Sequence, residues 1–125
     1  MIENIVFDMG NVLILYDANR FIKKYTDNDE DGILLMRNIF RSVEWIQMDR
    51  GTMTQEQAFE SICKRVPTRL HTAVQLLLDN WHEDLPPNPK MEMLAQRLKK
   101  AGYHIYLLSN TSAAYHDFRR HIPAL

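Results

Sequence analysis

The sequence predicts an α/β fold, in which a parallel sheet carries an inserted helical unit, and three observations indicate this class. An apolar run at residues 2–7 ends in an Asp-Met-Gly-Asn turn, which is typical of a strand buried on both faces of a parallel sheet. A second apolar run, at 103–108, follows an amphipathic helix, and strand, helix, strand is the unit of a parallel sheet. The helices between the two runs are too many for one crossover. We therefore predict a helical domain at 17–82 and a sheet core at 1–16 and 83–125.

The helical domain is predicted to begin at Asp17, which suits an N-cap and precedes a helix with Phe21 and Tyr25 one turn apart. An apolar stripe with helical spacing predicts a second helix over about residues 31–42. The apolar segment that follows breaks at Gly51.

Two further helices complete the domain. Thr54 and Gln57 have the spacing of a capping box, in which each side chain bonds the backbone N–H of the other residue. The helix behind this box is predicted to end at Pro67. A last amphipathic helix is predicted over residues 68–81. Trp45, Trp81 and Cys63 are expected to pack in the core of the domain.

The chain then returns to the sheet core through a proline-rich linker at residues 85–89. Asn88 suits an N-cap and Pro89 suits the first position of a helix. Gly102 is well placed to end that helix in the left-handed conformation. After the second strand, residues 113–121 are predicted to be helical.

Composition excludes several classes of protein. The 125 residues hold 15 Lys plus Arg against 16 Asp plus Glu, with no basic block, so nucleic acid and membrane surfaces are not expected partners. One cysteine cannot form an internal disulfide. The chain has neither an apolar run long enough to cross a membrane nor a signal peptide. We expect a cytoplasmic protein.

The residues that can carry chemistry follow the two predicted strands. Asp8 follows the first strand, and Ser109 and Asn110 follow the second. Ligands of an open parallel sheet bind beyond the carboxyl ends of its strands, so these side chains are expected to share one crevice. A carboxylate there can act as a nucleophile or a metal ligand, and the amides of Met9 and Gly10 can cradle an anion.

Four segments of the sequence resemble the haloacid dehalogenase-like hydrolases. Phe-Asp-Met-Gly-Asn-Val-Leu at 7–13 resembles motif I of that family, and Tyr-Leu-Leu-Ser-Asn at 106–110 resembles motif II. Met-Asp-Arg-Gly-Thr-Met-Thr at 48–54 resembles the segment before a cap helix in the subgroup whose helical cap follows motif I. Residues 88–102 resemble that subgroup's helix before motif II. The resemblance covers most of the chain.

The resemblance implies a Rossmann-like core, a helical cap and a role for each motif residue. Asp8 would form an aspartyl-phosphate and bind Mg²⁺, and the Gly10 carbonyl would be a second Mg²⁺ ligand. Ser109 would bind the transferring phosphoryl group, with Asn110 helping to position it. The cap would close over the site and select the substrate.

The sequence departs from the family pattern in two respects. Most phosphatases of the family have a second aspartate at the position of Gly10, where it is the general acid, a function worth ~10²–10⁴-fold in rate. Family members regarded as sugar-phosphate phosphatases also carry Asp-x-Gly-Asn-Val, so the activity is still expected; His82 and Asp17 are candidates for the proton donor. The family's later lysine and acidic pair do not occur after Ser109, and we expect the native protein to supply them beyond Leu125.

The function implied is Mg²⁺-dependent hydrolysis of a small phosphorylated metabolite such as a sugar phosphate. Two alternatives stay open. The chain is a binding or regulatory module that has the fold without catalysis, or it is an inactive fragment of an active enzyme. We expect the 125 residues alone to be inactive or homo-oligomeric.

Overall fold

The structure, a computed structural model, describes residues 1–123, with His121 described by its backbone alone. The described strands and α-helices are, in chain order, β1 (Asn4–Phe7), α1 (Ala18–Lys23), α2 (Asp29–Leu35), α3 (Val43–Asp49), α4 (Gln55–Cys63), α5 (His71–Asn80), α6 (Pro89–Lys100), β2 (His104–Leu107) and α7 (Tyr115–Phe118). A π-helical turn at Met36–Phe40 continues α2, and short 3₁₀ turns lie at Thr68–Leu70, Trp81–Glu83 and Arg119–His121. None of the described helices has the length and apolar character needed to cross a membrane.

The two strands pair in parallel, which confirms the predicted α/β class. The register runs from Asn4 opposite His104 to Phe7 opposite Leu107. One further backbone hydrogen bond lies beyond this register, from the Leu108 N–H to the Phe7 carbonyl at 2.9 Å. The two strands therefore stay paired up to the residue before Asp8.

The second predicted helix differs from the observed one at both ends. Its N-cap is Asn28, whose Oδ1 accepts from the backbone N–H groups of Glu30 and Asp31, so α2 begins at Asp29 and not at residue 31. At the other end the helix widens into the π turn. Ser42 then ends it, because its Oγ donates to the Ile39 carbonyl at 2.6 Å and caps α3. The predicted stretch 31–42 is thus not one α-helix.

Among the other predicted helix ends, α4 ends at Cys63, short of Pro67, and the helix predicted over 68–81 begins as a 3₁₀ turn before α5. Three ends with a specific local signal are confirmed. Both bonds of the capping box between Thr54 and Gln57 are present. Pro89 occupies the first turn of α6, and Gly102 has a φ of +95° just after that helix. Asn88 stands at the N-cap of α6 but makes no capping bond with its side chain. The helix predicted over residues 113–121 is shorter, with α7 followed by a 3₁₀ turn.

The contacts of the chain divide it into two compact units. Of the described residues, the first unit, called here the sheet unit, comprises 1–16, 85–110 and 114–123; the second, the helical unit, comprises 17–84 and 111–113. Each unit has its own buried apolar side chains. Those of the sheet unit are Phe7, Met9, Leu13, Ile14, Leu85, Ala95, Phe118 and Ile122, and those of the helical unit include Phe21, Leu35, Ile39, Ile62, Val74 and Leu77.

In the sheet unit, the segments on either side of the helical insertion run antiparallel and are hydrogen-bonded. The Leu15 N–H donates to the Pro86 carbonyl at 2.8 Å, and the Asn88 N–H donates to the Leu13 carbonyl at 2.8 Å. The two segments are therefore tied together at the point where the chain leaves the sheet unit and where it returns.

The helical unit also contains a network of charged and polar side chains around Glu44, which is 6% exposed. The Arg65 guanidinium bonds both carboxylate oxygens of Glu44, and the Ser61 hydroxyl donates to Oε1 at 2.7 Å. Arg65 Nε also donates to Oδ1 of the buried Asn38 at 3.1 Å. These bonds hold the pKa of the Glu44 carboxyl at about 2, chiefly through the hydrogen bond from Arg65. The network joins α3, α4 and the π turn.

Candidate active site

Asp8 lies at the carboxyl end of β1, directly after the last paired residue. Its side chain is exposed, whereas those of Phe7 and Met9 on either side are buried. The Asp8 Oδ1 accepts from the backbone N–H of Met9 at 2.7 Å. This bond fixes the carboxylate at the edge of the sheet. It also engages the Met9 amide, which sequence analysis assigned to an anion cradle.

The chain after Asp8 folds into a tight turn around the Met9 carbonyl. That carbonyl accepts from the N–H groups of Val12, Leu13 and Ile14 at 2.9–3.2 Å. Asn11 has a φ of +56°, a conformation that asparagine tolerates better than most residues. These three hydrogen bonds to one carbonyl oxygen fix the backbone of the turn that follows Asp8.

Asn11 also organises the end of this turn, a role that sequence analysis did not assign to it. Its Oδ1 accepts from the backbone N–H of Tyr16 at 2.8 Å. One sequence signal could have indicated this role. Asn11 lies in a predicted turn, and asparagine side chains in turns commonly form hydrogen bonds with nearby backbone groups.

The Gly10 backbone is available to a ligand. No hydrogen bond among residues 1–123 uses its N–H or its carbonyl. The residue is exposed, and a side chain there would meet no atom within 4 Å. One amide donor and one carbonyl acceptor are therefore accessible two residues after the Asp8 carboxylate.

Ser109 and Asn110 follow β2, next to the end of β1. The register places Leu108 beside Asp8, so Ser109 is one residue beyond the position opposite the carboxylate. Ser109 is half-buried and Asn110 is exposed. Neither side chain makes a hydrogen bond to another group in the described part of the chain. The parallel pairing therefore brings Asp8, Ser109 and Asn110 to one edge of the sheet, whereas the candidate proton donors Asp17 and His82 belong to the helical unit.

This edge does not form a complete metal site. Among residues 1–123, no three or more His, Cys, Asp or Glu side chains are grouped so that they could hold a metal ion. Asp8 is thus the acidic ligand that this part of the chain offers, together with the Gly10 carbonyl. Both are hard oxygen donors, the type that Mg²⁺ prefers.

One face of the two-stranded sheet is exposed although it is apolar. Val6 and Tyr106, which are register partners, are 57% and 51% exposed, and Leu108 is 75% exposed. A parallel sheet normally has both faces covered. The described residues cover only the face that carries Phe7.

No family model matches the sequence, but solved structures do match the fold. The chain resembles the haloacid dehalogenase (HAD) family enzyme BT-2542 from Bacteroides thetaiotaomicron, with 22% identity and a TM-score of 0.56. The chain has the haloacid dehalogenase-like fold. A second structure of that enzyme, the wild-type protein in complex with magnesium and inorganic phosphate, matches with 24% identity and a TM-score of 0.55.

The match to the HAD enzyme covers almost the whole of this chain but not the whole of the enzyme. Both comparisons cover 94% of the present chain, and they cover 57% and 58% of the Bacteroides protein. The chain therefore spans less than three fifths of the HAD structures that it matches. At this level of identity the likeness establishes the fold alone.

Proposed function

We propose that the protein containing this chain is a Mg²⁺-dependent phosphomonoesterase that acts on a small phosphorylated metabolite such as a sugar phosphate. The observation that supports this function best is the parallel register of β1 and β2, since it brings Asp8 and Ser109 to one sheet edge. The Bacteroides enzyme, which shares the fold, forms a complex with magnesium and inorganic phosphate. Because the chain matches only part of that enzyme, the activity is proposed for the whole protein.

In this proposal Asp8 is the nucleophile. Its carboxylate attacks phosphorus in line, the bond from phosphorus to the ester oxygen breaks, and an aspartyl-phosphate forms. Water then attacks phosphorus, which releases inorganic phosphate and regenerates the carboxylate. The Met9 amide supports this role because it fixes the orientation of the carboxylate.

The other residues of the edge would bind the phosphoryl group and the metal. The Ser109 hydroxyl and the Asn110 amide would donate to phosphoryl oxygens, since neither is engaged within the described residues. The Asp8 carboxylate and the Gly10 carbonyl would hold Mg²⁺, which commonly keeps several waters and takes few protein ligands beside a phosphate. When bound, the metal offsets the repulsion between the carboxylate and the phosphate.

Gly10 cannot supply a proton to the leaving oxygen, so that proton would come from water or from a residue of the helical unit. We propose that the helical unit acts as the cap that selects the substrate. Asp17 is less suited to this task because its side chain caps α1, accepting from the Asn19 N–H at 3.0 Å. His82 packs edge-on against Trp81, with ring centroids 5.8 Å apart. Since a general acid is worth ~10²–10⁴-fold in rate, we expect slow turnover.

The test is a phosphate-release screen over phosphorylated metabolites with Mg²⁺, using wild-type protein, Asp8→Asn and Asp117→Asn. We expect Asp8→Asn to abolish turnover with unchanged circular dichroism, because asparagine keeps an oxygen that can accept from Met9. Asp117 is an exposed acid of α7 in the same unit, so Asp117→Asn is the matched control. Borohydride should reduce the acyl-phosphate to homoserine at position 8. Undiminished turnover by Asp8→Asn would remove this carboxylate from the mechanism.

A second candidate function is a phosphate-binding or regulatory module without catalysis. One observation favours it: position 10 is glycine, which cannot act as a general acid. Calorimetry with Mg²⁺ and inorganic phosphate distinguishes the two functions. Binding that depends on Ser109, with no phosphate release from any ester, would indicate the binding module.

A further inference from the structure

A groove of about 740 Å³ lies within the helical unit, lined by residues of α1, α2 and the π turn. Its volume is in the range of ligand sites, but it is a surface groove and not an enclosed cavity. The centre of the groove is apolar, with Ile22, Ile33 and Met36 in its lining. Ile33 is 58% exposed, so a large apolar side chain stands uncovered in the middle of this surface.

Gly32 keeps the groove open beside Ile33. A Cβ at this position would meet Ile22 Cγ2 at 3.7 Å, which is an ordinary contact. Packing within the chain therefore does not require glycine, although glycine in a helix costs about 0.5–1 kcal/mol relative to alanine. The missing side chain leaves space at the apolar centre of the surface.

Charges of opposite sign lie at the two ends of the groove. Asp29 at the start of α2 and Asp27 just before that helix line one end, and Arg37 of the π turn and Arg41 just after it line the other. Lys23 of α1 also contributes to the lining. Neither the two aspartates nor the two arginines take part in an ion pair within residues 1–123. A small anion bound in the groove would be repelled by the carboxylates, and a small cation would be repelled by the guanidinium groups. A surface with this arrangement is instead complementary to itself.

We propose that this surface docks a second copy of the chain, with the two α2 helices antiparallel and Ile33 at the twofold axis. Asp29 and Arg37 are each four residues from Ile33, about 6 Å along the helix axis. A twofold axis through Ile33 therefore sets Arg37 against the partner subunit's Asp29, and the reverse pair forms by symmetry. The partner subunit's Ile33 fills the apolar centre that Gly32 leaves open. This proposal does not depend on the catalytic one.

Sedimentation velocity on the wild-type chain and on matched variants tests the arrangement. We expect a dimer at concentrations of about 0.1 mM. Ile33→Asp should weaken it by roughly tenfold or more, as expected for a central apolar anchor. Val43→Asp, at a site on α3 that is 65% exposed, should leave the dimer constant unchanged. Circular dichroism of both variants checks the fold.

A charge exchange tests the register of the two copies. Arg37→Asp alone should weaken the dimer, and adding Asp29→Arg should restore it, because both pairs then re-form with reversed signs. In a Cys63→Ser background, Ile33→Cys should form an intermolecular disulfide faster than Val43→Cys, since residues at the axis approach each other. A monomer at 0.1 mM, a dimer unaffected by Ile33→Asp, or equal disulfide rates would each overturn the proposal. Loss of the dimer on Tyr106→Ser but not on Ile33→Asp would assign it to the exposed sheet face instead.

Discussion

Replacing Glu44 by glutamine should destabilise the helical unit, and the loss should depend on pH. Glu44 is almost fully buried and is bonded through both carboxylate oxygens to Arg65. Glutamine has nearly the same volume and keeps one acceptor oxygen, but its amide N–H₂ takes the place of the second oxygen, so one guanidinium donor loses its acceptor and the ion pair is lost. Removing the buried charge of this ion pair is costly because the Arg65 guanidinium, which is only partly exposed, loses its main partner.

The magnitude follows from the pKa of the carboxyl. A pKa lowered from 4.5 to about 2 corresponds to at most about 3.4 kcal/mol of stability at neutral pH, since one pKa unit equals about 1.36 kcal/mol. The Arg65 side chain is 41% exposed, so solvent screens part of this interaction, and we expect about 2 kcal/mol. Because the folded-state pKa is lowered, this stability is complete above pH 4.5 and is lost as the pH falls towards 2.

The assay is urea unfolding followed by tryptophan fluorescence. Trp45 and Trp81, the two tryptophans of the sequence, both lie in the helical unit, with ring centroids 5.2 Å apart, so the signal reports that unit. Wild type and Glu44→Gln should differ by about 2 kcal/mol at pH 7, and the difference should shrink as the pH approaches 2. Glu60→Gln, an exposed glutamate of α4, is the control and should change little at any pH. A difference between wild type and Glu44→Gln that is equally large at pH 7 and pH 2 would refute the reasoning.

Two further predictions concern helix ends. Thr54→Ala should lower the free energy of unfolding by about 1 kcal/mol because it removes one bond of the capping box. Thr54→Ser keeps the hydroxyl and should retain most of the stability. Equal losses for the two variants in urea unfolding would show that the hydroxyl is not the cause. Gly102→Ala should lower the free energy of unfolding by about 1 kcal/mol because the residue has a φ of +95°. Gly102→Asn should cost less in the same assay, since asparagine tolerates this conformation. An alanine variant as stable as wild type would contradict the argument from backbone conformation.

The parts of the fold that follow from local signals could be predicted from the sequence. The capping box at Thr54, the proline at position 89 and the left-handed Gly102 each depend on a few neighbouring residues. The apolar runs at β1 and β2 likewise predict buried strands without reference to distant residues. For the same reason Asp8 and Ser109 could be placed at one edge, since the carboxyl ends of parallel strands coincide.

The π turn and the Glu44 network could not be predicted, because they depend on partners distant in sequence. Arg65 lies 21 residues from Glu44 and 27 from Asn38, and nothing in the local pattern of any of the three indicates the others. The buried Asn38 accepts from Arg65 and donates to the Leu34 carbonyl at 2.8 Å, within the segment that departs from α-helical geometry. Apolar periodicity alone therefore predicted a continuous helix there.

The hydrogen-bonded segments at 13–15 and 86–88 have a consequence for how the helical unit can be exchanged. They hold the point of exit from the sheet unit beside the point of return, about one strand spacing apart. A gap of that size is one that a two-residue hairpin turn closes. The length of the chain inserted between these two segments therefore has little effect on the stability of the sheet unit, because loop closure costs only about 0.6 kcal/mol for each doubling of the inserted chain. We expect that helical units of other sizes could be grafted between Leu15 and Pro86 without altering the strand register that positions Asp8.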